Sequence, residues 1–221
     1  MRCVRVWFSK TGQAKYISHL DLMRCMSRLM RRAHIPLWYT EGFNPHPYMM
    51  FALPLSLGSE SNCESMDIRI EGDITDDEIF KRLNDNMPIG LEVLKISEPK
   101  MKTNAITYGE YELTFETQQS EKLKQEIEKM LSADELIVSK MGKQGRKKVE
   151  KQVNLIEKIK EYSLDEKDGY VILNVVLPAG NTVNINPSLL SGAIEEKSFI
   201  GGECCRTFRK RLLTEDMKEF E

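Results

Sequence analysis

The sequence predicts an α+β fold made of two tandem ferredoxin-like (βαββαβ) units with antiparallel sheets. Two features carry this prediction. Short stretches of alternating apolar and polar residues flank two stretches of helical periodicity in the first half, in the strand–helix–strand–strand–helix–strand order of that unit. The same order recurs after residue 107 without an obvious repeat of the residues themselves. The expected domains are 1–98, which carries the motifs Ser-His-Leu-Asp-Leu and Gly-Phe-Asn-Pro-His-Pro, and 107–221. A chain of 221 residues is long enough for two small domains.

Residues 3–8, Cys-Val-Arg-Val-Trp-Phe, alternate as a first strand. A turn through Lys10, Thr11 and Gly12 follows. Ser18 stands three residues before Asp21, a weak form of the capping box. From there a helix runs to about Ala33, with Leu22, Met26, Leu29, Met30 and Ala33 as its apolar stripe and Arg24, Arg28 and Arg31 on another face. Pro36 stops it. Residues 37–40 read as a second strand leading into the 42–47 motif. An apolar stretch over 48–57 and a Gly58-Ser59 turn come next, then a third strand at 66–70. A helix is expected at 73–86, with acids in its first turn where the macrodipole favours them, and a fourth strand at 91–96.

The second half reads as a strand at 108–115, a helix at 119–131 and a basic link at 140–148. Two paired strands, 149–162 and 170–177, follow around Asp168-Gly169. Asn186 caps a short helix with Pro187 at its first position. The last strand, 204–213, carries Arg206, Arg209, Lys210 and Arg211, which mark it as an edge.

No stretch approaches the roughly 18 apolar residues of a membrane span, and residues 1–5 lack the continuous apolar run of a signal peptide. A cytoplasmic protein without membrane contact is expected. Five cysteines without a CxxC pair read as reduced thiols, with Cys204 and Cys205 as adjacent buried thiols. Neither a zinc ribbon nor a CxxxCxxC cluster motif is present, and no cofactor or metal is expected. The net charge of −2 is uneven. Residues 1–50 hold eight Lys/Arg against two Asp/Glu, and residues 51–100 hold five against eleven, suggesting two faces of opposite sign.

All three histidines, His19, His34 and His46, fall within residues 9–47. In a βαββαβ unit with a second strand at 37–40, the turn after strand one, the start of helix one and the end of strand two share one rim. That rim would gather Lys10, Lys15, Ser18, His19, Gly42, Phe43, Asn44 and His46 as an anion or ligand site at a helix N-terminus. His19, Asp21 and His46 are the candidates for acid–base catalysis. The same residues have a plainer reading: His19 and Asp21 cap the helix while His46 holds the loop. Arg24, Arg28, Arg31 and Arg32, with Lys143, Arg146, Lys147 and Lys148 of the basic link, are candidates for nucleic-acid contact, because guanidinium groups bind phosphate in a bidentate fashion. A sequence pI near 6.1 and the absence of RRM-type aromatic motifs weigh against it.

Read together, Phe-Ser-Lys-Thr-Gly (8–12), Ser-His-Leu-Asp-Leu (18–22) and Gly-Phe-Asn-Pro-His-Pro (42–47), continued by Phe-Ala-Leu-Pro-Leu (51–55) and Gly58, resemble the radical-SAM-linked proteins. These are a bacterial domain of unknown function fused to, or encoded beside, radical S-adenosylmethionine proteins. The resemblance implies a non-enzymatic adaptor acting with a radical SAM enzyme and presenting RNA to it. Two alternatives stand beside it: an RNA-processing or RNA-modifying enzyme using His19 and His46, and an anion or small-ligand binding module.

Overall fold

Val4, Val6 and Phe8 alternate with Arg5 and Trp7 along β1 (Arg2–Lys10) and are fully buried on one face of the sheet. The computed structural model describes residues 1–144, 147–180, 183–200 and 203–221, and within 141–149 the backbone alone. After β1 come α1 (His19–Arg32), β2 (Met49–Phe51), β3 (Glu60–Ile70), α2 (Asp76–Asn84) and β4 (Leu91–Ser97). The strands lie in the order β4-β1-β3-β2 and every pairing is antiparallel. Leu22, Met26, Leu29 and Met30 of α1 and Ile79 and Leu83 of α2 pack with Val4, Val6, Phe8, Met66, Ile68 and Ile70 in one core. Burying each such side chain contributes about 1.5–3 kcal/mol.

The second unit runs β5 (Tyr108–Glu116), α3 (Ser120–Leu131), β6 (Ile137–Gln144), β7 (Lys147–Asn154), β8 (Glu161–Lys167), β9 (Tyr170–Pro178), α4 (Pro187–Lys197) and β10 (Glu203–Leu213). Its main strands lie in the order β10-β5-β9-β8, while β6 and β7 form a separate antiparallel hairpin. Leu113, Phe115, Leu123, Ile127, Leu173, Leu190 and Ile194 make its own core. The fold is thus α+β and mostly antiparallel. One unit comprises Met1–Ile106 with Arg209–Arg211 and Glu219–Glu221; the other comprises Thr107–Phe208 with Leu212–Lys218. The tail therefore returns to the first unit, which a contiguous second domain over 107–221 did not foresee. Among the described residues, no helix is long and apolar enough to cross a membrane.

Several expected elements are placed differently. The second strand is Met49–Phe51, not 37–40; Leu37 and Tyr39 make only isolated bridges, to Ile70 and to Pro47. Residues 37–40 instead pair back on 46–48 around the 42–47 loop. The third strand starts at Glu60, six residues before the apolar run that predicted it. The stretch expected as one strand over 149–162 is interrupted by a helical turn at Ile156–Lys158; β7 before it pairs with β6, and β8 after it pairs with β9. The 140–148 link lies largely in the β6–β7 hairpin. Arg209, expected on an exposed edge, is 1% exposed, and Cys205, expected buried, is exposed.

Candidate functional site

The N-terminus of α1 is closed by its own residues. Ser18 Oγ accepts from the Asp21 amide at 3.1 Å and donates to Asp21 Oδ2 at 2.6 Å. The bond from Ser18, with Arg24 beside it, holds the Asp21 carboxyl below its ordinary range. Lys10 is not open to a ligand. It is 1% exposed, and its ammonium donates to the carbonyl of Ile17 at 3.0 Å and of Lys15 at 3.5 Å. Burial lowers its pKa, the Glu64 carboxylate opposes that, and Arg209 adds to it. Lys15 instead lies over the ring of Tyr16 at 5.3 Å. His19 sets its ring edge-on to Phe51, with centroids 5.3 Å apart. Burial pushes its pKa down, against Glu64 and with Lys10.

The Gly42, Phe43, Asn44 and His46 segment stands elsewhere. Lys10 pairs opposite Ser61, whereas Arg2 pairs opposite Ile70, so β3 separates the two ends of the sheet by about 30 Å at 3.3–3.4 Å per residue. His19 neighbours Lys10 and Glu64, toward the Ser61 side, and Phe51, which pairs opposite Met66 near the middle of β3. The loop leaves the Ile70 side, where the Trp38 amide donates to Arg69 O at 2.9 Å and the Tyr48 amide to Trp38 O at 3.1 Å. The shared rim expected for His19 and His46 is therefore not formed. The cause is the shift of the second strand: the motif precedes β2 instead of following it. His46 is engaged within the loop, with Nδ1 3.0 Å from Thr40 Oγ1 and 3.2 Å from Asn44 O. A carbonyl only accepts, so the Asn44 contact calls for a proton on Nδ1.

The arginines of α1 do come together. Arg24, Arg28 and Arg32 line a groove of about 370 Å³ with Asp21, Cys25 and Pro88. Helical spacing of i, i+4 and i+8 places the three on one face. Arg32 is fixed from behind: its Nε donates to Asn86 Oδ1 at 3.2 Å and a terminal nitrogen donates to Asn86 O. Asp21 pairs with Arg24 at 3.3 Å, leaving one carboxylate among three guanidinium groups. Arg31 is exposed and does not line the groove. Of the basic link, Lys143, Lys147 and Lys148 lie outside the described side chains, and Arg146 outside the described residues. A groove of this kind suits the oxygens of a phosphate chain.

Residues 3–187 match the model of a family described as an uncharacterized protein conserved in bacteria (DUF2344). The chain belongs to that family. No curated protein matches it. Among solved structures, a chain in the crystal structure of a Cbf5–Nop10–Gar1 complex is similar over 95% of this chain, with a TM-score of 0.53 and 11% sequence identity. This chain spans 48% of that one, and the likeness is one of fold.

Two groupings in this DUF2344 chain escaped sequence reasoning. Arg209, which lies beyond the matched segment, pairs with Glu64 at 2.6 Å, and both are buried. Its guanidinium also donates to Leu53 O at 3.0 Å. These partners lie 145 and 156 residues away in sequence, and no local pattern links them. The second grouping is Arg69, whose guanidinium lies 4.2 Å from the ring centre of Tyr48 and 5.1 Å from that of Trp38. Residues 37–40 read as a strand, but nothing local points to Arg69 as the partner of Trp38.

Proposed function

We propose that this protein is a non-catalytic accessory module that binds RNA along the arginine groove of α1 and presents it to an enzyme. In this reading each unit is ferredoxin-like, and the β6–β7 hairpin is an insertion in the second. The observation that carries the proposal is the groove itself: Arg24, Arg28 and Arg32 line one cleft, and Asn86 holds Arg32 in place before any ligand arrives. Phosphate contacts of this kind give affinity without sequence preference. The partner enzyme implied by the motif resemblance is a radical SAM protein, which would supply chemistry that this chain, with no CxxxCxxC motif, does not carry by that motif. The alternative of an RNA-processing enzyme built on His19 and His46 has less behind it, because His19 packs on Phe51 while His46 is engaged within its own loop.

The test is the salt dependence of binding to a short fluorescent oligouridylate. Each phosphate neutralised on a single strand contributes about −0.7 to the log–log slope. Replacing Arg24, Arg28 and Arg32 together by Ala should flatten the slope by about 2, while Arg31→Ala leaves it unchanged. Absence of binding at low salt, or an equal effect of Arg31→Ala, would overturn the RNA reading.

A further inference from the structure

The phenyl ring of Phe43 is fully exposed, at 106% of its reference area. Single exposed apolar residues are ordinary on protein surfaces; the difference here is the backbone beneath the ring. The Thr40 amide donates to His46 O at 2.9 Å, and the His46 amide donates to Thr40 Oγ1 at 3.2 Å. The imidazole closes the loop from inside, and Tyr39 bridges to Pro47. Pro45 and Pro47 fix their own φ. Below the loop, the Arg69 guanidinium lies over the rings of Trp38 and Tyr48, which are tilted 59° to each other. The loop thus holds an aromatic ring out in water at little further cost in conformational entropy, which is the property of a preorganised binding anchor. Aromatic and arginine residues in such a cluster are the types that dominate protein–protein hot spots.

The charge around this end selects the partner. Glu41, Glu71, Asp73 and Asp77 are all exposed, and the Glu71 amide donates to Pro36 O, next to the base of the loop. Of the nearby cations, Arg2 pairs with Asp76 at 2.7 Å and Arg69 lies over the rings of Tyr48 and Trp38, while Lys81, one turn after Asp77 on α2, is exposed. An acidic surround repels a phosphate backbone and attracts a basic protein surface. We infer that the 40–48 loop is the docking point for a protein that offers Phe43 an apolar pocket rimmed by lysine and arginine. This surface is separate from the α1 groove, and the inference stands whether or not RNA binds there.

The experiment places the photo-crosslinking residue p-benzoylphenylalanine at position 43 of the full chain in a bacterial host, with a control at Ile89, which is 88% exposed on the turn before β4. Irradiation should give a protein adduct from position 43 that is missing from position 89, and peptide mass spectrometry names the protein. With that protein purified, Phe43→Ala should weaken binding by about 30-fold or more. His46→Ala, which keeps the ring but releases the loop, should have a smaller effect, and Glu71→Lys with Asp73→Lys should slow association. Replacing the three groove arginines should leave this affinity unchanged. The inference fails if position 43 gives no adduct, crosslinks to RNA alone or gives the same adducts as position 89. It fails equally if Phe43→Ala, still folded because its ring touches solvent only, binds as well as the native chain.

Discussion

Glu64 and Arg209 are 3% and 1% exposed and pair at 2.6 Å. Taking each charge out of water costs several kcal/mol, an expense offset only while the other charge remains. Arg209 also donates to the Leu53 carbonyl, and Lys10 senses both charges. Beside them Cys63 is half-buried, and desolvation of its thiol pushes it up to about 11 despite the nearby Arg209, which makes it a poor nucleophile in the folded chain. Glu64→Gln or Arg209→Met alone should therefore cost about 3–5 kcal/mol, read as a lower urea midpoint at unchanged slope. The double replacement Glu64→Leu with Arg209→Met should cost clearly less than the sum of the singles. Additive losses would show that the two charges are held by separate partners.

At the scale of elements, the turn between β1 and α1 is set by a glycine from another part of the unit. The Thr11 amide donates to Gly90 O at 2.8 Å. Gly90 has φ +86°, and an added Cβ would stand 2.5 Å from Thr11 O and 2.9 Å from Ala14 Cβ. Neither neighbour is the end of a flexible side chain. Gly90→Ala should combine left-handed backbone strain of about 1–2 kcal/mol with displacement of the 11–16 turn. A thermal midpoint equal to the native one would show that this contact is loose. No feature of Gly90 in the sequence announces its partner, whereas α1 is legible because cap and stripe are local: Ser18 caps through Asp21 as its spacing suggests, and Leu22, Met26, Leu29 and Met30 bury. The second strand misleads for the opposite reason. Residues 37–40 have the residue types of a strand, yet Trp38 and Thr40 pair across their own loop with Tyr48 and His46, leaving only three residues, Met49–Phe51, to pair with β3. In the second unit the run 140–148 reads as a link because of its lysines and glycines, whereas most of it lies in β6 and β7. The site follows the same rule. The arginine groove rests on helical spacing and is readable from it, while the position of His46 depends on which residues form β2.

At the scale of the whole molecule, the chain leaves its first unit at Thr107 and returns to it at Arg209–Arg211 and Glu219–Glu221. The returning tail does more than lie on the surface. Phe220 is 2% exposed, with its ring 5.9 Å from that of Trp7 and 4.4 Å from the Arg5 guanidinium. Arg5 is itself buried, held by Asp67 at 2.7 and 2.9 Å and by the Met101 carbonyl at 2.8 Å, while the Met101 amide donates to Glu221 O. Phe220 therefore covers a buried ion pair at the middle of β1 and β3. Phe220→Ala removes a large buried ring, with a typical cost of about 3–5 kcal/mol, and admits water to the Arg5–Asp67 pair. That cost should fall on the first unit. Hydrogen exchange should speed up in β1 and β3, 150 or more residues before the substitution, while β5 and β9, whose buried residues Leu113, Phe115, Leu173 and Val175 pack in the other core, keep their protection. The opposite pattern, with protection lost first in β5 and β9, would mean that the tail stabilises the second unit, and that the first unit is complete at Ile106 without it.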